Sequence, residues 1–231
     1  MTVAHEVRGH DEWVAARTEL LAKEKEFTRL RDELTQRRQE LPWETAEKEY
    51  SFDGPRGKQT LADLFDGRDQ LVVYHFMFEP EAEDGCKHCS FWADNFDPIV
   101  VHLNARDITM VAVSRAPYDK LAAYRDRMGW SFTWLSSGES DFNYDYGVSF
   151  RPDQEGDTVF NYGTLVPGRS DREGVSVFVR DEGGALFHTY STYGRGIDLL
   201  NTAYNYIDLV PGGRGEEGNY PQYWVERHDE Y

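Results

Sequence analysis

The sequence predicts an α/β domain preceded by a long helix. Two apolar runs of strand length, residues 71–78 and 108–113, flank a segment with helical spacing, as in two parallel strands joined by a crossover helix. Two further strand candidates follow, and Asp181-Glu182-Gly183-Gly184 joins them with residues typical of a hairpin turn. A mixed sheet with helices packed on its faces accounts for this order.

The N-terminal segment predicts one helix over residues 11–41. Its apolar residues recur at every seventh position, namely Trp13, Leu20, Phe27, Leu34 and Leu41. Asp11 is the expected N-cap, and Pro42 ends the helix. A repeat over about four heptads leaves two interpretations open. The helix packs on its own domain, or it is an arm through which two copies of the chain form a homodimer.

The segment between this helix and the first buried strand predicts a connection with little regular structure. Residues 49–52 suit a short strand, and residues 53–57 are rich in turn formers. Residues 60–65 predict a short helical turn. The run over residues 71–78 then has the composition of a strand that is buried on both faces of a sheet.

Helices and strands alternate in the next part of the chain. Residues 90–104 have helical spacing, with Pro98 as a kink. Residues 108–113 form the second buried strand. The helix over residues 117–128 begins with a proline, which suits a first helical turn. Residues 130–135 are the third strand candidate.

The remainder of the chain contains an irregular excursion, the hairpin and a tail. The excursion, residues 137–174, is rich in Asp, Gly, Tyr and Asn. The hairpin strands span residues 175–179 and 185–190, and a last helix is expected over residues 196–209. The tail, residues 211–231, is rich in glycine, and its aromatic residues predict that it is held against the surface.

The order of elements is the thioredoxin arrangement, a parallel strand pair joined by a helix and followed by a hairpin and a helix. We therefore predict a thioredoxin-like fold with an N-terminal helical extension and an insertion similar to that of peroxiredoxins. The expected organisation is a helical arm (1–47), a thioredoxin-like domain (48–210) and a C-terminal surface tail (211–231).

The composition limits the classes of function. Asp and Glu number 42 against 25 Lys and Arg, which gives a formal net charge of −17. So acidic a surface repels nucleic acid phosphates and anionic lipid, and neither nucleic acid nor membrane is an expected partner. No run approaches the ~18 consecutive apolar residues of a membrane span. Residues 1–11 lack the basic flank and apolar run of a signal peptide, so we expect a cytoplasmic location.

The two cysteines of the chain, Cys86 and Cys89, carry the strongest functional signal. They form a C-x-x-C motif between the first buried strand and its helix, where unpaired N–H groups stabilise a thiolate. Cys86 is the expected attacking thiol and Cys89 the resolving thiol. His88 and Lys87 add positive charge beside them, which makes His88 a catalytic candidate and Lys87 a substrate contact. Four preceding carboxylates oppose this effect: Glu79, Glu81, Glu83 and Asp84.

Metal binding is the alternative use of the same thiols. Two thiolates and one or two imidazoles suit zinc or copper, and the candidate ligands are Cys86, Cys89, His75 and His88, with His102 as a further histidine. The redox interpretation requires no cofactor. A third interpretation is an interaction domain that keeps the fold without the chemistry.

Other catalytic motifs are missing from the sequence. It contains neither a Gly-x-Ser-x-Gly elbow nor a phosphate-binding glycine loop. The cluster of aromatic and acidic residues at 141–146, with Tyr144 as the candidate contact, lines a substrate cleft or packs against the sheet.

The chain resembles the thioredoxin-like bacterial family of unknown function DUF899, whose members are often labelled predicted dithiol-disulfide isomerases. The resemblance implies a thiol or disulfide substrate, either a small molecule or a protein. Its matching stretches extend over nearly the whole chain: residues 24–26, 37–43, 74–78, 85–91, 114–117, 127–130, 141–146 and 188–196.

The chain departs from the wider thioredoxin superfamily at one position. Thioredoxins have a cis-proline before the first hairpin strand, facing the dithiol, and this chain has no proline there. Val175 or Ser176 is expected to occupy that place and to contact substrate. Glu83 stands where peroxiredoxins have a threonine, three residues before their reactive cysteine, so a peroxidase is the weaker resemblance.

Overall fold

The computed structural model describes residues 5–151, 160–163 and 171–231. The chain divides into two units, Met1–Pro42 and Trp43–Tyr231. None of the helices in the described ranges is long and apolar enough to span a membrane.

The first unit contains helix α1, His10–Gln39. It begins one residue before the expected start, with Gly9 as its N-cap, so the prediction of Asp11 as the cap is wrong. Asp11 and Glu12 lie instead in the first turn, where carboxylates interact favourably with the helix dipole. No residue of α1 is buried, and its apolar residues are exposed, Trp13 and Phe27 by 58% each.

The second unit is built on an eight-stranded sheet with the order β1-β8-β7-β4-β5-β6-β2-β3. Its strands are β1 (Glu44–Thr45), β2 (Ser51–Gly54), β3 (Gly57–Thr60), β4 (Gln70–His75), β5 (Ile108–Ser114), β6 (Thr133–Ser136), β7 (Gly174–Arg180) and β8 (Leu186–Tyr193). Strand β2 overlaps the short strand expected over residues 49–52, whereas β1, β3 and the pairing of β2 with β3 were not predicted. Pro55 had favoured a turn, and this turn is the hairpin connection.

The four central strands have the thioredoxin topology. Strands β4 and β5 are parallel, and β7 pairs antiparallel with β4 and with β8. The order β8-β7-β4-β5 is therefore a parallel pair extended by an antiparallel hairpin, and β6 extends it parallel to β5. The predicted thioredoxin-like fold is confirmed. The insertion after β6 contains helix α5, Phe142–Asp145.

The helices follow the predicted order with one exception. The crossover segment consists of α2 (Lys87–Phe96), a 3₁₀ turn at Pro98 and α3 (Val100–Asn104), so the predicted kink is confirmed. Helix α4, Tyr118–Arg127, joins β5 to β6. The last predicted helix is wrong as a single element. Extended Asn201 divides it into a 3₁₀ helix, Gly194–Leu200, and helix α6, Thr202–Ile207, because its side chain caps the N–H of Tyr204.

The central strands separate two apolar layers. Along β4, Tyr74 packs in one layer with Cys89 and Trp92 of α2, while Val73 packs in the other layer with Phe142 of the insertion. Side chains alternate between the faces of a strand, so His75 shares the face of Val73. The two faces of β4 therefore have different chemical surroundings.

Strand β8 contains a bulge opposite β7. Val177 pairs with Tyr190 and Phe178 pairs with His188, so Thr189 has no residue opposite it. This extra residue brings His188 to the same sheet face as Ser191, and His188 Nε2 lies 2.8 Å from Ser191 Oγ.

Candidate active site

The two cysteines lie at the N-terminus of α2. Cys86 is the N-cap residue, and its N–H donates to the carbonyl of Met77 at 3.1 Å. Cys89 follows within the first turn, and both residues are free thiols. The helix begins at Lys87, three residues before its predicted start, so the whole motif is part of the helix or its cap.

Cys89 is the buried thiol of the pair. It is 2% exposed, and its Sγ accepts the N–H of Met77 at 3.4 Å. Burial raises the pKa of Cys89 well above its usual value, and the neighbouring Cys86 raises it further. Cys89 therefore keeps its proton while Cys86 is ionised.

Cys86 is the activated thiol. The hydrogen bond from the Cys89 thiol lowers the pKa of Cys86 to about 4, against the opposing effect of burial. A hydrogen bond from His88 lowers this pKa further. These interactions favour the thiolate form of Cys86, which is the nucleophilic form of a cysteine.

Two of the four carboxylates that precede the motif are turned to other partners. Glu79 accepts the backbone N–H of Asp171 at 2.8 Å, and Asp84 pairs with Arg127 at 3.2 Å. The acidic residue whose charge acts on both cysteines is instead Glu173, directly before β7. Burial raises the pKa of Glu173, which favours its neutral form.

Glu173 and Tyr74 were not predicted from the sequence as residues of the site. Tyr74 is 1% exposed, and its hydroxyl lies beside the Cys89 thiol without a well-directed hydrogen bond to any described residue. The signal for Glu173 was its position just before the first hairpin strand, the place where thioredoxins face their dithiol. Tyr74 had no signal beyond its place in a buried strand.

A pocket of about 470 Å³ opens next to the dithiol. Tyr74, His88, Cys89 and Glu173 form its inner part. Its remaining wall comes from Trp92 of α2, from the segment before β7, from the 3₁₀ helix and from residues 221 and 222 of the tail. Its volume lies within the range of roughly 300–1,000 Å³ that is usual for small-molecule sites.

The tail lies against the start of α2. Arg227 donates to the carbonyl of Gly85 at 3.0 Å and to the hydroxyl of Tyr124 at 2.8 Å. Lys87 pairs with Glu226 at 3.1 Å. The side chain of Lys87, predicted to contact substrate, is thus directed to the tail and not to the pocket.

Three other residues predicted to contact substrate lie away from the pocket. Val175 and Ser176 are buried within β7 on opposite faces, so Arg172 and Glu173 reach the pocket in their place. Tyr144 packs against Arg151 and accepts a hydrogen bond from Arg115 at 3.3 Å. None of the three lines this pocket, because strand alternation turns Ser176 to the other face and the insertion holds Tyr144, and their contact with substrate stays a prediction.

The candidate metal ligands do not converge. His75 lies on the sheet face opposite Cys89, where it stacks on Phe142 and its Nε2 lies 2.8 Å from Ser176 Oγ. His102 is exposed at α3. Within residues 5–151, 160–163 and 171–231, no group of three His, Cys, Asp or Glu side chains is arranged to hold a metal ion.

A chain of hydrogen bonds crosses the face opposite the dithiol. It connects His75 to Ser176, Ser176 to Ser191, and Ser191 to His188, each at 2.8 Å. Nδ1 of His188 lies 3.3 Å from the exposed carboxylate of Glu44. These contacts give partners to Nε2 of His75 and to the hydroxyls of Ser176 and Ser191, whereas Nδ1 of His75 has no hydrogen-bond partner among the described residues.

Comparisons with known proteins give one family match and several distant structural likenesses. The family model described as "Bacterial protein of unknown function (DUF899)" matches residues 2–231. No curated protein matches the chain. Among solved structures, it is similar to peroxiredoxin Q of Xanthomonas campestris, with 12% identity, 66% of this chain and 85% of that chain covered, and a TM-score of 0.46.

Two further solved structures show a likeness of the same degree. For peroxidoxin BcpB of Mycobacterium tuberculosis the identity is 13%, the coverage is 72% of this chain and 97% of that chain, and the TM-score is 0.46. For the yeast mitochondrial 1-Cys peroxiredoxin the identity is 16%, the coverage is 73% and 77%, and the TM-score is 0.42. The fold assignment rests on the strand order of this chain.

Proposed function

The chain belongs to the bacterial family of unknown function DUF899, and for this member we propose thiol–disulfide exchange carried out by Cys86 and Cys89. The observation that supports the proposal most directly is that the pKa values of the two thiols are shifted in opposite directions. Cys86 has a pKa lowered to about 4 at a helix N-terminus, whereas burial raises the pKa of Cys89. A nucleophile and a protected resolving thiol require this difference.

In the first step, the Cys86 thiolate attacks one sulfur of a substrate disulfide. A bond forms between Cys86 Sγ and that sulfur, the substrate S–S bond breaks, and the other half leaves as a thiolate that takes up a proton. The product is a mixed disulfide on Cys86. His88 and the helix N-terminus, which stabilised the anion, no longer face a charge once this bond has formed.

In the second step, Cys89 releases its proton and its sulfur attacks Cys86. A Cys86–Cys89 disulfide forms, and the second half of the substrate leaves as a thiolate that is protonated to a thiol. Two electrons thus pass from the dithiol to the substrate, and of the two protons taken up by its halves one comes from Cys89 and one from solvent, because Cys86 reacts as a thiolate. The reverse sequence oxidises a substrate dithiol, and either direction needs only the two sulfurs and no cofactor.

The test is a redox titration of the protein in mixtures of reduced and oxidised dithiothreitol, followed by alkylation and mass measurement of the peptide that contains both cysteines. We expect a reversible two-electron couple with a disulfide inside that peptide. A dithiol that never oxidises would contradict the proposal. So would native protein with about one equivalent of zinc or copper bound through these cysteines.

A matched pair of variants tests the assignment of the two sulfurs. Cys89→Ser keeps a hydrogen-bond donor beside Cys86, whereas Cys89→Ala removes it. We expect Cys86 to react with iodoacetamide at pH 6 in Cys89→Ser, where a free cysteine is only about 0.3% ionised. The midpoint of the pH profile should be higher in Cys89→Ala. Equal midpoints would show that the Cys89 thiol does not stabilise the Cys86 thiolate.

A further inference from the structure

The pocket beside the dithiol contains polar atoms that the fold leaves unpaired. The hydroxyl of Tyr74 is buried and has no well-directed hydrogen bond within the described part of the chain, and the same holds for Nε2 of His88. Both residues line the pocket. Buried polar groups are normally hydrogen-bonded, so these two atoms indicate the inner end of a ligand site.

The charges of the pocket differ from those of the chain as a whole. Arg172 and Arg195 belong to its wall, although the chain carries a net charge of −17. The carboxylate of Asp198 is already shared between Arg195 at 3.3 Å and Arg214 at 3.2 Å. Burial raises the pKa of Glu173, the other acid of the wall. The pocket therefore offers guanidinium groups to an anion.

The apolar part of the wall suits a compact organic molecule. Trp92 and Ile197 are buried residues of the core, and each contributes to the pocket surface. Trp92 is held in place because its indole N–H donates to the carbonyl of Ile197 at 3.1 Å. A rigid aromatic surface in the wall of the pocket can pack against the methylene groups of a ligand.

We propose that this pocket binds a low-molecular-weight disulfide that carries carboxylates, with its sulfur end at Tyr74 and His88 and its carboxylate at Arg172 and Arg195. The inference rests on the proposed exchange reaction and names its substrate class. Cys86 attacks the nearer sulfur of the bound disulfide and forms a mixed disulfide with that half. The other half leaves as a thiolate and is protonated to a thiol. Cys89 then attacks Cys86, which forms the protein disulfide and releases the first half.

The experiment compares two small disulfides of opposite charge on the Cys89→Ser protein, in which the mixed disulfide at Cys86 is stable. Glutathione disulfide carries carboxylates, and cystamine carries only ammonium groups. The acidic chain attracts cystamine through its overall field, so faster reaction with glutathione disulfide would have to come from the pocket. Mass spectrometry follows the rate of mixed-disulfide formation.

Arg172→Gln and Arg195→Gln are the test variants, and Arg56→Gln is the control because it lies on the far part of the surface, paired with Asp66. We expect the rate with glutathione disulfide to fall about tenfold in the double variant, which corresponds to the loss of a charged hydrogen bond of roughly 1.4 kcal/mol. The rate with cystamine should be unchanged or higher, and Arg56→Gln should react as the parent does. An equal loss with both disulfides, or no loss, would overturn the proposal.

A binding measurement separates failure of the pocket from failure of the exchange reaction. S-methylglutathione carries carboxylates of the same kind and cannot exchange sulfur, and isothermal titration calorimetry of the full chain measures its binding. Saturable binding that the double variant loses would support the pocket even if the dithiol proved inert. Absence of binding would overturn the proposal that this pocket binds the substrate. The redox titration would still test the exchange reaction itself.

Discussion

His75 shows how a single residue of the central strand can control the response of the protein to acid. Its side chain is completely buried in β4 and hydrogen-bonded to Ser176. Its pKa is lowered from 6.5 to about 3, mainly by burial and in addition by the nearby His188. The folded protein therefore holds a neutral imidazole over a pH range in which the unfolded chain takes up a proton.

The consequence is a loss of stability in acid that His75→Gln should reduce. Between about pH 6.5 and pH 3 the unfolded chain binds one proton more at this residue, so the free energy of unfolding falls as the pH falls. The slope is up to ~1.4 kcal/mol per pH unit for one proton. Urea unfolding of reduced protein at pH 7, 6 and 5 should give a shallower pH dependence for the variant. Exposed His102→Gln is the control, and equal slopes for all three proteins would refute the assignment.

At the residue scale, the sequence predicted the reactive groups better than their surroundings. Cys86, Cys89 and His88 were identified because their spacing and their position after a strand are local properties of the chain. Glu173 lies far from them in sequence and reaches them only because β7 pairs with β4. No sequence pattern indicates which side chain stands at such a long-range junction. Val175 and Ser176 were predicted because they stand where thioredoxins have their cis-proline.

At the scale of elements, the start of α2 depends on a glycine. A Cβ atom at Gly85 would lie 2.9 Å from Cε1 of Tyr124 and 3.0 Å from Cε1 of Phe76. Both rings are buried, so neither can move freely. The carbonyl of Gly85 also receives the hydrogen bond from Arg227. The close approach of these groups fixes the residue that precedes Cys86.

Gly85→Ala should therefore disturb the helix start and the reactivity of Cys86 together. We expect the free energy of unfolding to fall by about 1–3 kcal/mol through overpacking, and the alkylation of Cys86 at pH 6 to slow. Gly212→Ala is the matched control, because a Cβ there meets no atom within 4 Å. If the two alanine variants unfold and react alike, the close packing at Gly85 does not position the thiol.

Helices and strands could be predicted where one local sequence pattern determines the structure. Pro98 identified the kink after α2, and the apolar runs identified β4 and β5. Of the β2–β3 hairpin only the first strand was expected. Strand β3 has no apolar residue, and the hairpin joins the sheet through β6, to which no local pattern refers. The last helix was overextended because Asn201 was read as a helical residue and not as a cap.

At the scale of the molecule, the tail connects distant parts of the second unit to the dithiol. Val225 is completely buried, and Trp224 packs against Phe91 of α2. Arg227 then reaches Gly85 and Tyr124, which belong to the segments before α2 and within α4. The tail is thus part of the packing around the reactive helix, in agreement with the expectation that its aromatic residues hold it in place.

Arg227→Gln should weaken the second unit and the site together. The side chain donates to two partly or fully buried acceptors, and the loss of hydrogen bonds from a charged donor costs about 1.5–3 kcal/mol. Chemical unfolding measures this loss, and the pH profile of Cys86 alkylation shows whether the helix start has moved. Arg56→Gln, which breaks an exposed ion pair, should change neither quantity. A similar loss in both variants would mean that the contacts of Arg227 do not specifically stabilise the second unit and the start of α2.

The bulge in β8 has a consequence for how this chain can change in evolution. Thr189 is the residue without a partner, and its hydroxyl donates to the carbonyl of Val177. Loss of this one residue would leave a regular strand in which His188 and Ser191 stand two positions apart and still share a face. Relatives that lack a residue at the bulge can therefore keep both the histidine and the serine, whereas loss of both residues between the two would place them on opposite faces.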